Sequence, residues 1–328
     1  MSLSSLLSPN GFFAPTVLAI GLDIVLGDPR SWPHPVKGIA WYASFLEKTL
    51  RPQFTHAKVA GYITAIAVYL LTVVVSLALW IVARHIHPLI GCIVAAIMIY
   101  FSIAAKDLAD HAMRVVQPLR DNDLPAARNA VAQIVGRDTD QLDPEGVAKA
   151  ATESVAESAS DGVIAPLFWA LLLGPAGALL YRAINTLDSM FGHKDDQYQD
   201  FGYCSAKTDD YANWIPARLC ALSLCWTAAI YYGWAQGKRA WRIWRRDCRN
   251  HASPNSGHPE SAMAGALGVR FGGLRYYSGI PQYSPLIGDA DQGITVDTIE
   301  ESVHLMRWAM LWFIVGGGII LSFAVVAF

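Results

Sequence analysis

Three stretches of this chain carry no charged residue over roughly the length of a membrane crossing, and they limit the fold more than anything else in it. They run from 59 to 83, from 86 to 105 and from 308 to 328. About 20 apolar residues in helical conformation span a hydrocarbon core of roughly 30 Å. In that medium only structures that satisfy every backbone polar group internally persist, which selects helices or closed barrels. Strand-period alternation long enough to build a sheet is not apparent, so the sequence predicts an all-α, polytopic integral membrane protein. Composition agrees: 53% of residues are hydrophobic and 16% charged, where soluble domains run near a quarter charged.

Three weaker segments, 12–27, 163–181 and 214–234, are interrupted by polar or helix-breaking residues. The first carries Asp23, the second Pro166, Gly174, Pro175 and Gly177, and the third Pro216 and Arg218. An ionisable group at mid-bilayer costs about 2.5–3.5 kcal/mol, so these segments face protein or enter the membrane only part-way as re-entrant helices. Lys and Arg gather after the first segment, in 106–161 and in 236–305, which the positive-inside rule assigns to the cytoplasm. Helical soluble portions are expected over 106–161 and 236–305, within one membrane-embedded domain spanning 1–328. Asp123 and Asp143, each followed by a proline, mark helix starts. Trp234, Trp241 and Trp244 among basic residues suggest an amphipathic interfacial helix. The net charge of −2 offers no field for nucleic acid, and five cysteines without a CxxC pair indicate neither a disulfide framework nor a zinc site.

Polar residues cluster at the edges of these segments. Glu153, Glu157 and Asp161 stand at i, i+4 and i+8, the spacing of one helical face, and run straight into the apolar 163–181. A solvated helix face is the alternative. Arg182, Asn185 and Asp188 follow the same segment, with Asn and Asp one turn apart, a spacing at which two oxygens reach one Mg²⁺; snorkelling helix-end residues are the plainer account. Asp209, Asp210 and Asn213 precede 214–234. Ser253 and Asn255, followed by Glu260, read as a turn opening a helix, an ordinary cap that is also a natural anion site. Asp28 and His34 lie in a proline-braced loop. No Walker A or GxGxxG pattern is present.

At these same residues the chain resembles the adenosylcobinamide-phosphate synthase family of cobalamin biosynthesis, the CbiB/CobD family. The matching blocks are Asp23 with Gly27-Asp28-Pro29 and Pro33-His34-Pro35; Val135-Gly136-Arg137-Asp138; Glu153 to Glu157 with Asp161-Gly162; Tyr181-Arg182 through Asn185 and Asp188 to Met190; Asp209-Asp210 with Asn213 to Arg218; and Ser253-Pro254-Asn255 with Glu260. They occur in family order from Leu22 to about Asp289. The chain departs from the pattern at Ser158, His193 and Lys207, where Asn, an aromatic residue and Arg are usual. The resemblance implies an enzyme of the bacterial inner membrane, with its active site facing the cytoplasm. It would join the corrin propionate of adenosylcobyric acid to an amino-alcohol phosphate, with ATP as co-substrate and Mg²⁺. Catalytic roles fall to Glu157, Asp161 and Asp188, and metal binding to Glu153, Asp188, Asp209 and Asp210. Substrate and phosphate contacts fall to Arg137, Arg182, Asn185, Arg218, Ser253, Asn255 and His34. Implied partners are the two substrates, the lipid bilayer and other membrane-bound corrinoid enzymes. Two readings compete: a non-enzymatic membrane sensor or transporter, and a Mg²⁺-dependent membrane phosphotransferase.

Overall fold

The computed structural model describes residues 10–29, 32–193 and 195–327, with side chains of the last helix described as far as Ile319. Among the described residues, five helical stretches are long and apolar enough to cross a bilayer: Ala57–Ile86, Pro88–Arg120, Pro144–Phe191, Trp214–Tyr231 and Val296–Ile319. The chain is thus a multi-pass, helical membrane protein. It divides into two compact units, each built from separated pieces of sequence.

The first unit comprises 1–104, 165–213 and 317–328. It contains α1 (Asn10–Leu26), α2 (Pro35–Leu50), α3 (Ala57–Ile86) and α4 (Pro88–Tyr100). The apolar run 59–83 lies inside α3, and Leu70, Val74 and Val82 on this helix are largely exposed. Apolar residues on the outside of a helix that is apolar all round are what a lipid-facing helix presents. The run 86–105 is divided: α3 ends at Ile86, the His87 imidazole accepts the Leu89 N–H to cap α4, and α4 ends at Tyr100.

The helical element α8 (Ala165–Phe191) is broken at Gly174, whose φ of 67° and ψ of −155° lie outside the helical region. The chain reverses there. A methyl group on Gly177 would sit 2.6 Å from the Trp169 carbonyl oxygen, two turns back, where a straight helix separates such positions by about 12 Å. Ala165 shares a core cluster with Tyr181 and Ile184. The apolar run 163–181 is therefore a helical hairpin folded near its middle. Gly174 meets the reversal because a left-handed φ costs glycine little and because the Phe12 ring fills the space a side chain would need. Helix α9 (Tyr203–Ala212) packs beside this hairpin, with the Trp169 indole N–H donating to the Ala212 carbonyl at 3.2 Å.

The second unit comprises 105–164 and 214–316. Its elements are α5 (Ala105–Arg120), α6 (Leu124–Val131), α7 (Pro144–Ser158), α10 (Trp214–Tyr231), α11 (Trp234–Asp247), α12 (Gly257–Leu267) and part of α13 (Val296–Ala327). The predicted helix starts hold: Asp123 Oδ1 accepts from Ala126 N at 3.0 Å and Asp143 Oδ1 from Gly146 N at 2.8 Å. Every residue of α12 is buried. Its Gly265 lies against Ala240 and Ile243 of α11, closer than a side chain would permit.

Two expectations need correcting. Trp244 does not anchor at an interface; it is turned inward, and its indole N–H donates to His258 Nδ1 at 2.9 Å. Trp234 and Trp241 stay exposed. The region 236–305 is also not wholly helical. It contains an antiparallel hairpin, β1 (Arg270–Tyr277) and β2 (Ile280–Gly288), joined through Ser278 and Gly279, both at positive φ. Paired positive-φ residues form the tight turns whose twist matches two strands. The register slips between Phe271 and Gly273. That bulge at Gly272, with Pro281 and Pro285 opposite, erases the alternation a sequence reader looks for.

Candidate functional site

Each unit gathers a polar cluster that includes residues singled out in the sequence. In the first unit, the second arm of the α8 hairpin carries Tyr181, Arg182, Asn185 and Asp188, and α9 carries Asp209 and Asp210. The Asp209 carboxylate accepts from Asn213 Nδ2 at 2.9 Å, and Asn213 Oδ1 accepts the buried Tyr181 hydroxyl at 2.8 Å. Asn185 also donates to Asp209. Even so, Asp209 Oδ1 is buried with no hydrogen-bond partner. Burial first, and then the neighbouring Asp188 charge, push the Asp209 carboxyl up to about 7. Gly192 closes the group from one side, since a side chain there would collide with the Asp188 carboxylate. Asp210 points elsewhere, into an ion pair of 2.8 Å with Lys207, and that pairing raises the lysine's pKa.

Among the described residues, no set of three or more His, Cys, Asp and Glu side chains is gathered to hold a metal ion. The Asp188–Asp209 group is instead two carboxylates with carboxamides from Asn185 and Asn213. An all-oxygen set of this kind suits Mg²⁺, which commonly takes one or two carboxylates and completes its shell with water or phosphate. The orphaned Asp209 Oδ1 and the repulsion felt by Asp209 are what a bound dication would relieve.

In the second unit, Glu153 is 5% exposed and lies in a clamp. It accepts from Arg137 Nη2 at 2.5 Å, Arg275 Nη2 at 2.7 Å and the Gly272 backbone N–H at 2.8 Å. Lys149, one turn earlier on α7, donates to the Gly272 carbonyl. The bulge therefore turns both polar groups of one glycine towards α7. These cations border a cavity of about 720 Å³. Glu157 is exposed and accepts the Ser256 hydroxyl at 3.1 Å. Glu260, on α12, is 3% exposed. Burial, then Glu157 and Glu153, hold its carboxyl well above the usual range. His251 Nε2 stands 3.5 Å from it.

Glu153 and Glu157 of the acidic row both lie towards Glu260 of α12, but their partners differ. Glu153 turns to guanidinium groups, Glu157 to α12, and Asp161 sits on a π-helical turn (Ala159–Ile164) that shifts the helical phase. Ser253 Oγ accepts the N–H groups of Asn255 and Ser256, each at 3.2 Å, and Asn255 is buried. Arg218 donates to its own helix at the Trp214 carbonyl and lies over that indole ring. His34, in the first unit, caps α2 by accepting from Val36 N at 3.2 Å. Sequence reasoning missed Lys149, Arg275 and Gly272. Two lie on the unread hairpin, and Lys149 carries no motif of its own.

Residues 16–306 match the model of a family described as CobD/Cbib protein. The chain belongs to this family. It is 42% identical over 291 residues to the cobalamin biosynthesis protein CobD of Clostridium perfringens, covering 88% of this chain and 92% of the relative. It is 44% identical over 289 residues to the CobD of Citrobacter koseri, covering 87% and 90%. To the cobalamin biosynthesis protein CbiB of Salmonella typhi it is 42% identical over 290 residues, covering 87% and 90%. No solved structure matches the chain. Both clusters fall within the stretch shared with the CobD/CbiB family.

Proposed function

We propose that this chain is an enzyme of cobalamin biosynthesis in the bacterial inner membrane. It condenses the corrin propionate of adenosylcobyric acid with an amino-alcohol phosphate, aminopropanol phosphate or an analogue, consuming ATP to give adenosylcobinamide phosphate. The names carried by the relatives support the pathway. The Asp188–Asp209 pair with its carboxamides carries the chemistry, because an ATP-driven reaction needs a place for a nucleotide-bound dication.

A carboxylate resists amine attack because its oxygen is a poor leaving group. Transfer of the γ-phosphoryl group to a propionate oxygen gives an acyl phosphate and ADP. The amine nitrogen then bonds to the acyl carbon, the bond from that carbon to the phosphate oxygen breaks, and phosphate leaves as the nitrogen gives up a proton. Mg²⁺, when bound, supplies neutralisation of the nucleotide's phosphate charge. Asp188 and Asp209 would hold it, with Asn185 and Asn213 orienting Asp209. Arg182, one turn from Asn185 on the same arm, is suited to a phosphate oxygen. Glu157, exposed and already fixed by the Ser256 hydroxyl, would accept the proton that the amine releases on attack, with half-buried Asp161 as the second choice. Arg137 contributes to phosphate binding, and Glu153 positions it.

The α8 hairpin supports a re-entrant reading of 163–181. Each half of that apolar run is at most roughly 17 Å long, about half a hydrocarbon core. The deciding assay incubates purified protein with adenosylcobyric acid, aminopropanol phosphate, ATP and Mg²⁺, and looks for the condensed product by mass spectrometry. Absence of product with all four components present removes the reaction; a transporter of related fold would give that result.

A further inference from the structure

We propose that the cavity beside the Glu153 clamp is the binding site for the phosphorylated amine, with its phosphate on Arg137, Lys149 and Arg275 and its ammonium towards Asp138, Asp140 and Asp143. This rests on the reaction proposed above and assigns one substrate to one place.

Charge balance comes first. Of the carboxyl groups near these three cations only Glu153 is hydrogen-bonded to any of them; Glu260 and Glu145 act from farther away. Arg137 and Arg275 each give one nitrogen to Glu153, while Lys149 donates to the neutral carbonyl of Gly272. The clamp therefore holds more positive charge than its one directly bonded carboxylate offsets. The Nε atoms of Arg137 and Arg275 are buried and make no hydrogen bond, and the Arg137 side chain is only 9% exposed. Buried guanidinium N–H groups left unsatisfied are costly, and a planar fork of donors suits phosphate oxygens.

The rest of the cavity wall decides the class of ligand. Asp138, Asp140 and Asp143 line the same space. Asp138 is fixed by the turn of the hairpin, accepting from Ser278 N at 3.1 Å and Gly279 N at 2.7 Å. Asp143 is fixed by its cap on α7, and Asp140 is exposed. A nucleotide triphosphate of charge about −4 would meet these three carboxylates as well as the three cations. A small molecule carrying a phosphate at one end and an ammonium at the other is complementary to both sets. The volume, about 720 Å³, is ample for a molecule of this size.

The test measures binding by calorimetry on full-length protein in detergent, separately from turnover. Aminopropanol phosphate is the probe, and ATP and unphosphorylated aminopropanol are the comparison arms. Arg275→Ala strips a partner from Glu153 and risks unfolding, so the variants are Lys149→Met, Lys149→Arg and Asp140→Asn. Lys149→Met should weaken aminopropanol phosphate about tenfold or more while ATP binding stays unchanged. Lys149→Arg should recover most of the loss, and Asp140→Asn should weaken the phosphorylated amine and leave ATP binding unchanged. Unchanged affinity in Lys149→Met, or a loss confined to ATP, overturns the assignment even if the wild type makes product. Lys149-dependent binding by a wild type that forms no product would keep this site and remove only the proposed reaction.

Discussion

The Glu153 clamp offers the sharpest energetic test of this structure. Replacing Arg137 by Met keeps most of the side-chain volume but removes a charge-assisted hydrogen bond of 2.5 Å from a carboxylate that is 5% exposed. One guanidinium group and the Gly272 N–H remain. Breaking a buried ion pair by removing one partner costs about 3–5 kcal/mol, because the other charge is left under-compensated. With Arg275 still in place, we expect the lower end, about 3 kcal/mol. At about 2–4 °C per kcal/mol for a large domain, the melting temperature should fall by roughly 6–12 °C. Glu153→Gln should cost a similar amount, since two buried guanidinium groups then face a neutral amide. The double variant should lose much less than the sum, with a coupling of about 2 kcal/mol or more. The assay is thermal unfolding in detergent micelles followed by tryptophan fluorescence. Raising salt should change the result little, because buried pairs are poorly screened. Additivity within about 0.5 kcal/mol, or an Arg137→Met shift under 2 °C, would refute the clamp as a structural unit.

Other outcomes follow from the same geometry. Glu260 has its folded-state pKa raised well above the carboxylate range, so its contribution to stability is complete below pH about 4.5 and is lost as pH rises through the folded value; Glu260→Gln should flatten that loss, and parallel pH–stability curves for variant and wild type would contradict the shift. Asp209→Asn and Asp188→Asn should each abolish Mg²⁺-dependent thermal stabilisation and cut turnover by orders of magnitude while the protein stays in the membrane; near-normal turnover in either would remove that residue from the centre. Gly192→Ala, whose methyl group would meet both the Asp188 carboxylate and its backbone carbonyl, should raise the Mg²⁺ concentration needed for half-maximal activity by about tenfold and lower the melting temperature; an unchanged Mg²⁺ requirement counts against Asp188 as a ligand. Gly174→Ala combines a left-handed φ with a clash against Phe12, and should destabilise by at least 1–3 kcal/mol, read as a lower melting temperature.

The helices were legible where a single physical rule dominates. Uninterrupted apolar runs gave α3, and Asp-x-Pro-like starts gave the caps of α6 and α7. Asn185 with Asp188, and Asp209 with Asp210 and Asn213, were legible by spacing as two separate sets; that Asn213 and Asn185 turn to Asp209 while Asp210 pairs with Lys207 was not. Other features were hidden by interactions between distant residues. The hairpin of β1 and β2 buries apolar side chains mainly at its root, Phe271 and Ile287, so no alternating pattern marks it, and Arg275 was lost with it. The helical spacing of Glu153, Glu157 and Asp161 was read correctly, but the π-helical turn at 159–164 inserts extra winding that periodicity alone does not register. Trp244 was counted among surface tryptophans because its partner, His258, lies on another helix.

The reversal at Gly174 changes how this family should be counted. A hydropathy scan scores 163–181 as a crossing, yet on the re-entrant reading proposed above the segment bent at Gly174 returns to the side it entered. On that reading the stretch 192–213 stays on the side of 106–161, and a fusion placed there would report that side, opposite to the one such a scan assigns.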